Sequence, residues 1–303
     1  MNNPIRKVGF IGAGHMGHGM AKNIIEKGFS LTILGHHNRD PINDLVSRGA
    51  CEVDTLQLLA KESEIIFLCV PDSKIVENII RGPHGLINYL RPGIIIVDCS
   101  TSDPNSTLEL AKELENIKAK LVDAPLGRSP KEAWQGTLDT MVGCDKETFN
   151  KIKPVLESWA GRVIHIGETG DGHKIKLINN FISLGYAALY AEALTLSKKI
   201  GIKPERFDNV IRGSRMDCEF YRSYMQYVIE RDQEAHKFTL KNAFKDMQYL
   251  DSMSNKAGIS NPLSNGIKNI FALAVNSGNG EKYIPMISDQ VAAWNDTDLH
   301  HEE

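Results

Sequence analysis

No stretch of this 303-residue sequence approaches the roughly 20 consecutive apolar residues that cross a bilayer, so a membrane-spanning helix is excluded. Nor is there a basic excess. The 35 Lys and Arg stand against 38 Asp and Glu, and a net charge of -3 offers nothing to neutralise the phosphates of a duplex. No nucleic-acid partner is expected. Cysteine is scarce. The five (Cys51, Cys69, Cys99, Cys144 and Cys218) are odd in number, scattered and without metal-ligand spacing, which argues against a disulfide scaffold and a metal site. They read as buried, reduced thiols. Internal repeats and low-complexity segments are absent, and the first residues lack the pattern of a signal peptide, so a cytoplasmic protein is expected.

What remains is ordinary for a globular chain, with 42% hydrophobic and 24% charged residues. The length exceeds one core and suits two domains of about 150 residues each. The most informative stretch is at the N-terminus. A short apolar run, Lys7 to Ile11, feeds the turn Gly12-Ala13-Gly14-His15-Met16-Gly17, and a helical pattern follows at once. Gly12 permits a tight strand-to-helix turn, Gly14 lets a pyrophosphate approach the backbone, and Gly17 lets the helix pack closely. The helix N-terminus then faces the phosphates with free N–H groups and its positive dipole end. Gly12, Gly14, His15, Met16 and Gly17 are therefore candidate contacts of a dinucleotide.

Strand-like runs recur at 7–11, 30–34, 64–70, 93–99, 120–123, 139–142 and 162–166, with helical patterns at 16–27, 54–60, 73–80 and 106–116. Such alternation implies crossover connections and a largely parallel sheet with helices on both faces, a doubly wound Rossmann-type α/β domain. After Gly172 the period changes. One long helical pattern runs over 173–199, with Ile175, Ile178, Ile182, Leu189 and Leu196 on one side, and helical patterns dominate to the end. Breaks fall at Lys203-Pro204, Arg212-Gly213-Ser214, Asn261-Pro262 and 277–280, and the polar residues 295–303 are expected to fray. The expected domains are 1–167, the sheet, and 168–303, all-α.

In a doubly wound sheet the ligand lies beyond the carboxyl ends of the strands. Those ends carry, besides the glycine turn, Leu34 to Arg39, Val70-Pro71-Asp72-Ser73 and Cys99-Ser100-Thr101. An NAD site normally closes its second strand with an acid for the ribose hydroxyls. Here the stretch reads Leu34-Gly35-His36-His37-Asn38-Arg39, with no acid until Asp40. That favours NADP, with His36, His37 and Arg39 as contacts of a 2′-phosphate; the alternative is a solvated histidine-rich loop, with NAD bound without its usual acid.

Three further segments complete a pattern: Asp123-Ala124-Pro125-Leu126-Gly127-Arg128-Ser129 through Gly136 to Gly143; Gly170-Asp171-Gly172-His173-Lys174-Ile175-Lys176-Leu177-Ile178-Asn179-Asn180; and Phe238 through Lys245-Asp246. With the glycine turn, they resemble in order and spacing the β-hydroxyacid dehydrogenase family, over essentially the whole chain. The resemblance implies Lys176 as catalytic acid/base. The chemistry agrees, since an ammonium can stabilise and protonate the alkoxide formed as hydride reaches an aldehyde carbon. Asn180, one helical turn later, would hydrogen-bond the substrate, with Asn179 beside it. Lys245 would lie near the nicotinamide ribose and the substrate. Ser100 and Thr101 would meet the nicotinamide side of the cofactor, and Asp246 would support the fold. The site is expected between the two domains, and the family implies a homodimer or homotetramer built through the helical domain.

The substrate loop departs from the family's usual D-x-P-V-S-G-G. Gly127 replaces the serine, and Arg128-Ser129 replaces the two glycines. A planar guanidinium fork and a hydroxyl suit an anion with several oxygens. Within the family, a G-R-S/T loop followed by K-L-I-N-N resembles the sulfolactaldehyde reductase branch, which implies Arg128 and Ser129 as sulfonate ligands. The alternative is that Arg128 grips a carboxylate, as in a succinic, methylmalonic or tartronic semialdehyde. A 6-phosphogluconate dehydrogenase would be longer and carry histidine where Asn179 stands. A non-catalytic nucleotide-binding scaffold, or an imine reductase, would lack the lysine that is kept here as Lys176.

Overall fold

The computed structural model describes residues 4–300. Among them nine strands form one sheet: β1 (Lys7–Ile11), β2 (Ser30–Leu34), β3 (Cys51–Val53), β4 (Ile65–Leu68), β5 (Ile95–Asp98), β6 (Lys120–Asp123), β7 (Leu126–Gly127), β8 (Leu138–Gly143) and β9 (Ala160–Gly167). The order is β3-β2-β1-β4-β5-β6-β8-β7, with β9 on β8. From β3 to β6 every pairing is parallel, and β6 and β7 then pair antiparallel with β8. The strand order reverses between β1 and β4, which opens a crevice beyond the carboxyl ends of those strands.

Burial on both faces explains the continuous apolar strands. Along β4, Ile65 and Phe67 enter one core, and Ile66 and Leu68 enter the core on the opposite face. Ile95 and Val97 repeat the alternation against Ile96 in β5. Each such side chain contributes about 1.5–3 kcal/mol on burial. The helices start where short polar side chains satisfy the first N–H groups: Thr55 on Leu58, Asp72 on Ile75, and Asp145 on Thr148.

The chain divides into two compact units, the first ending at Lys176 and the second starting at Leu177. That division falls inside the Asp171–Lys199 helix, later than the 167/168 boundary expected from the sequence. The second unit is built from helices Pro204–Ile211, Glu219–Glu230, Leu240–Ala257, Pro262–Ala274 and Ile287–Trp294 around the second half of the long helix. Its core gathers Leu177, Leu184, Ala187, Ala188, Ala191 and Leu194 with Tyr221, Tyr224, Phe271 and Ile287.

Two expectations need correction, and the apolar row of the long helix gains an orientation. The apolar row of the long helix does lie on one side, but Ile178, Ile182, Leu189 and Leu196 are exposed. The buried side is the one with Ala187, Ala188 and Ala191, whose small size lets neighbouring helices come close. Within the described residues the C-terminal segment does not fray. Leu299 is buried in the helical core, and the His300 ring meets Asp289 at 3.2 Å. Finally, Cys51 is exposed and Cys69 and Cys218 are half-buried, so burial holds only for Cys99 and Cys144.

Candidate functional site

The glycine turn is built for close approach. Gly12 has φ +100°, and a Cβ there would stand 2.2 Å from the Cys69 carbonyl oxygen. At Gly17 a Cβ would come within 2.0 Å of the Gly12 carbonyl oxygen. Gly14, by contrast, is exposed with open space where a side chain would stand. The helix that follows, Gly17–Glu26, has no side-chain cap on its first turn and no acidic residue there. His15 is exposed and Met16 half-buried beside it. An uncapped helix end behind an open glycine fits the diphosphate of a dinucleotide.

At the end of β2, His36 and His37 are exposed, their rings edge to face at 5.4 Å. Arg39 opens the helix Arg39–Ser47, whose N-cap is Asn38. Its guanidinium is bound by both oxygens of Glu52, at 2.6 and 2.8 Å. The Glu52 carboxylate also stands where a Cβ on Gly35 would be, 2.5 Å away. So the acid missing from β2 is present in space, supplied by β3. A three-residue strand of Cys, Glu and Val gave no sequence signal, and the pairing Ile33↔Glu52 reveals it.

The ends of β4 and β5 are tied together. Val70 donates its N–H to the Ser100 hydroxyl at 3.0 Å. Ser100 N–H goes to Asp98 Oδ1 at 2.9 Å, and the Ser102 hydroxyl to Asp98 Oδ2 at 2.7 Å. Pro71 is exposed next to Val70, and Thr101 half-buried next to Ser100. Desolvation of the sulfur pushes the Cys69 thiol up to about 12 and raises Cys99 well above the ordinary thiol value, so both stay protonated.

The loop that departs from the family pattern starts as a strand pair, Leu126–Gly127 on Asp139–Thr140. Gly127 packs its α-carbon against the Asp139 side chain, where a Cβ would come within 3.2 Å. Arg128 holds a left-handed φ of +76°, is half-exposed, and has Nε 3.2 Å from Asp139 Oδ1. Ser129 caps the helix Pro130–Gln135 and donates its hydroxyl to Glu132 at 2.5 Å. That helix docks on Gly17–Glu26, where Asn23 donates to the carbonyls of Ala133 and Trp134.

Asp123, read from sequence only as the start of this loop, proves to be the cap of the long helix. Its fully buried carboxylate accepts the N–H of Gly170 at 2.6 Å and of His173 at 2.7 Å. Burial raises its pKa, against the pull of His173 and the two N–H donors. Lys176 follows one turn after His173, half-buried. In the helical unit, Asn180 is buried and donates its amide to Asp246 Oδ2 at 2.7 Å. Lys245 Nζ lies 3.3 Å from Asp246 Oδ1 and 5.4 Å from the Tyr249 ring. Asp246 thus organises both polar residues. Asn179 is exposed, about 100° round the helix from Asn180.

Comparison with known proteins extends over the same elements. Residues 7–167 match the NAD binding domain of 6-phosphogluconate dehydrogenase, and residues 170–286 match the NAD-binding region of NADP-dependent 3-hydroxyisobutyrate dehydrogenase. A 2-(hydroxymethyl)glutarate dehydrogenase of Eubacterium barkeri is 33% identical over 265 residues, 88% of each chain. The 3-sulfolactaldehyde reductase of Escherichia coli K12 is 28% identical over 285 residues, 94% of this chain and 95% of that one. Among solved structures, the 3-hydroxyisobutyrate dehydrogenase of Mycobacterium tuberculosis superposes with a TM-score of 0.85 at 22% identity, covering 95% of this chain and 99% of that one. That last likeness carries the fold alone. Taken with the glycine turn and the polar residues of the long helix, the sequence matches make this chain a member of the β-hydroxyacid dehydrogenase family, an oxidoreductase that uses NAD(P) and acts on hydroxyl donors.

Proposed function

We propose that the chain interconverts a small anionic aldehyde and its alcohol, with Lys176 as general acid/base and Arg128 as the ligand of the substrate's anion. The bound nicotinamide supplies or takes up the hydride. In the reducing direction the Lys176 ammonium stabilises the developing alkoxide and gives it a proton. In the oxidising direction a neutral Lys176 accepts the hydroxyl proton. Asn180, whose amide nitrogen is committed to Asp246, would offer its carbonyl oxygen to a substrate hydroxyl.

The observation that carries the substrate reading is Arg128. An arginine stands in a left-handed backbone position that favours glycine, at the end of a strand pair, with half of its side chain exposed. A guanidinium kept there offers parallel donors to a multi-oxygen anion. A sulfonate is the first reading, 3-sulfolactaldehyde reduced to 2,3-dihydroxypropane-1-sulfonate, in line with the relative of that name. The 2-(hydroxymethyl)glutarate dehydrogenase favours the second, a carboxylate semialdehyde. Ser129 spends both its hydroxyl and its N–H on Glu132, so it would reach either anion only by giving up that capping pair, and Arg128 carries the recognition. Turnover of sulfolactaldehyde and of carboxylate semialdehydes, each with NADPH and NADH, decides. Failure of every anionic aldehyde with both cofactors removes the proposal.

NADP remains the proposed cofactor of choice, supported by His36, His37 and Arg39 at the end of β2. Glu52 moderates the preference, since it already neutralises Arg39. A higher KM for NADPH than for NADH would contradict it. Self-association is proposed through the exposed row Ile178, Ile182, Tyr186, Leu189, Leu196 and Ile200. Steps of three, four and seven residues follow the seam by which two helices pair, so a second copy of this chain is the proposed occupant.

A further inference from the structure

Asp98 and Asp123 end two neighbouring parallel strands, and both side chains are buried. Between them lies His173, wholly buried, in the first turn of the long helix. Its Nε2 is 3.8 Å from Asp98 Oδ2 and its Nδ1 4.0 Å from Asp123 Oδ2. The ring's hydrogen bonds go elsewhere. Nε2 is 3.1 Å from the Ser100 carbonyl oxygen, which only accepts, so Nε2 carries a hydrogen. Nδ1 faces the Thr107 hydroxyl at 2.8 Å.

Both partners belong to the segment that follows β5. Ser100 stands at the strand end, and Thr107 on the helix Pro104–Asn116. Ser100 is in turn bonded to Val70 through its hydroxyl and to Asp98 through its N–H. The backbone of His173 is held by Asp123, and Lys176 sits on the next turn of the same helix. One side chain therefore connects a loop bearing candidate cofactor contacts to the helical turn bearing the candidate proton donor.

We propose that His173 is a positioning residue that locks the Ser100–Thr101 loop in register with the turn of Lys176. The proposal rests on the roles given above to Ser100 and Lys176. Small displacements of such groups cost far more in rate than in stability, since about 1 Å of misplacement can lower a rate by about 100-fold.

Two amide substitutions separate the two hydrogen bonds. An asparagine ends where Nδ1 stands and keeps the Thr107 contact. A glutamine reaches the Nε2 position and restores a donor to the Ser100 carbonyl. Both variants of the full chain are read three ways: NADPH and NADH titration by quenching of tryptophan fluorescence, kcat with the most active aldehyde, and Tm. His173→Asn is expected to weaken cofactor binding about fivefold and to lower kcat about tenfold or more. His173→Gln should bring both back to within about threefold of the parent, at a Tm equal to that of His173→Asn. Equal binding and kcat in the two variants overturns the proposal, as does a loss confined to Tm or the failure of both to fold. The titration needs no turnover, so an inactive Lys176 assignment and a mistaken role for His173 give different results.

Discussion

Arg128 concentrates the question of what this enzyme binds. An arginine at φ +76° is strained by about 1 kcal/mol or more relative to glycine, and such strain is kept where a side chain is needed. Arg128→Ala is expected to raise KM for the anionic substrate by the equivalent of about 2–3 kcal/mol, with kcat much less affected. Steady-state kinetics on the best substrate of the panel check it, and an unchanged KM would remove Arg128 from the site. Asp139, at 3.2 Å from the guanidinium, was not legible in the sequence. It is read only once the β7–β8 pairing places it beside Gly127.

At the scale of elements, the strands read most sharply where both faces are buried. β1, β2 and β6 coincide with the expected runs, and β4 and β5 are trimmed by a residue or more at each end. What escaped was short or polar. β3 has three residues and β7 two, and the helices Arg39–Ser47, Pro130–Gln135 and Lys146–Leu156 were not anticipated. Two of these helices hide behind polar loop residues whose side chains are spent locally. Asn38 and Ser129 look like binding-loop residues, yet both spend their side chains as N-caps. The docking of Pro130–Gln135 on Gly17–Glu26 is held by the Asn23 amide, which reaches Gly19, Ala133 and Trp134 carbonyls at 2.7, 2.9 and 3.2 Å. Asn23→Ala should cost about 1–3 kcal/mol by leaving buried acceptors unpaired. Denaturant unfolding should show a lower midpoint at unchanged slope. A loss below 0.5 kcal/mol, about the floor for a buried hydrogen bond, would refute that role.

The exposed row on the long helix makes a prediction at the same scale. Leu189, 59% exposed, sits in the middle of it. Leu189→Glu should place a charge in the seam and shift sedimentation from an oligomer to a monomer, leaving cofactor affinity intact. A monomeric parent at micromolar concentration would contradict the proposed pairing. The sequence revealed this row but not which way it faced, because the alternative face is made of alanines and reads as weakly apolar.

For the molecule as a whole, acid should act first through the helical unit. Burial pushes His236 down to about 4, from an ordinary 6.5. In that window the unfolded chain takes up a proton that the folded chain refuses, so stability is lost as pH falls from 6.5 towards 4. Below that, Asp289 adds a second loss. Burial alone would raise its carboxyl, but hydrogen bonds from His300, Arg231 and Tyr227 overcome this and hold it well below the usual carboxylate range. Its stabilisation is present above about pH 4 and fades as the group is protonated. Thermal unfolding between pH 7 and 4.5 should flatten in His236→Phe relative to the parent. The same slope in both would exclude His236 as the source.

All of this converges on one ammonium. Lys176→Ala, measured for cofactor binding and for turnover of the best aldehyde, tests the account most directly. Cofactor affinity should be almost unchanged while kcat falls by about 100-fold or more, the usual scale for a positioned proton donor. Near-full turnover in that variant would contradict it.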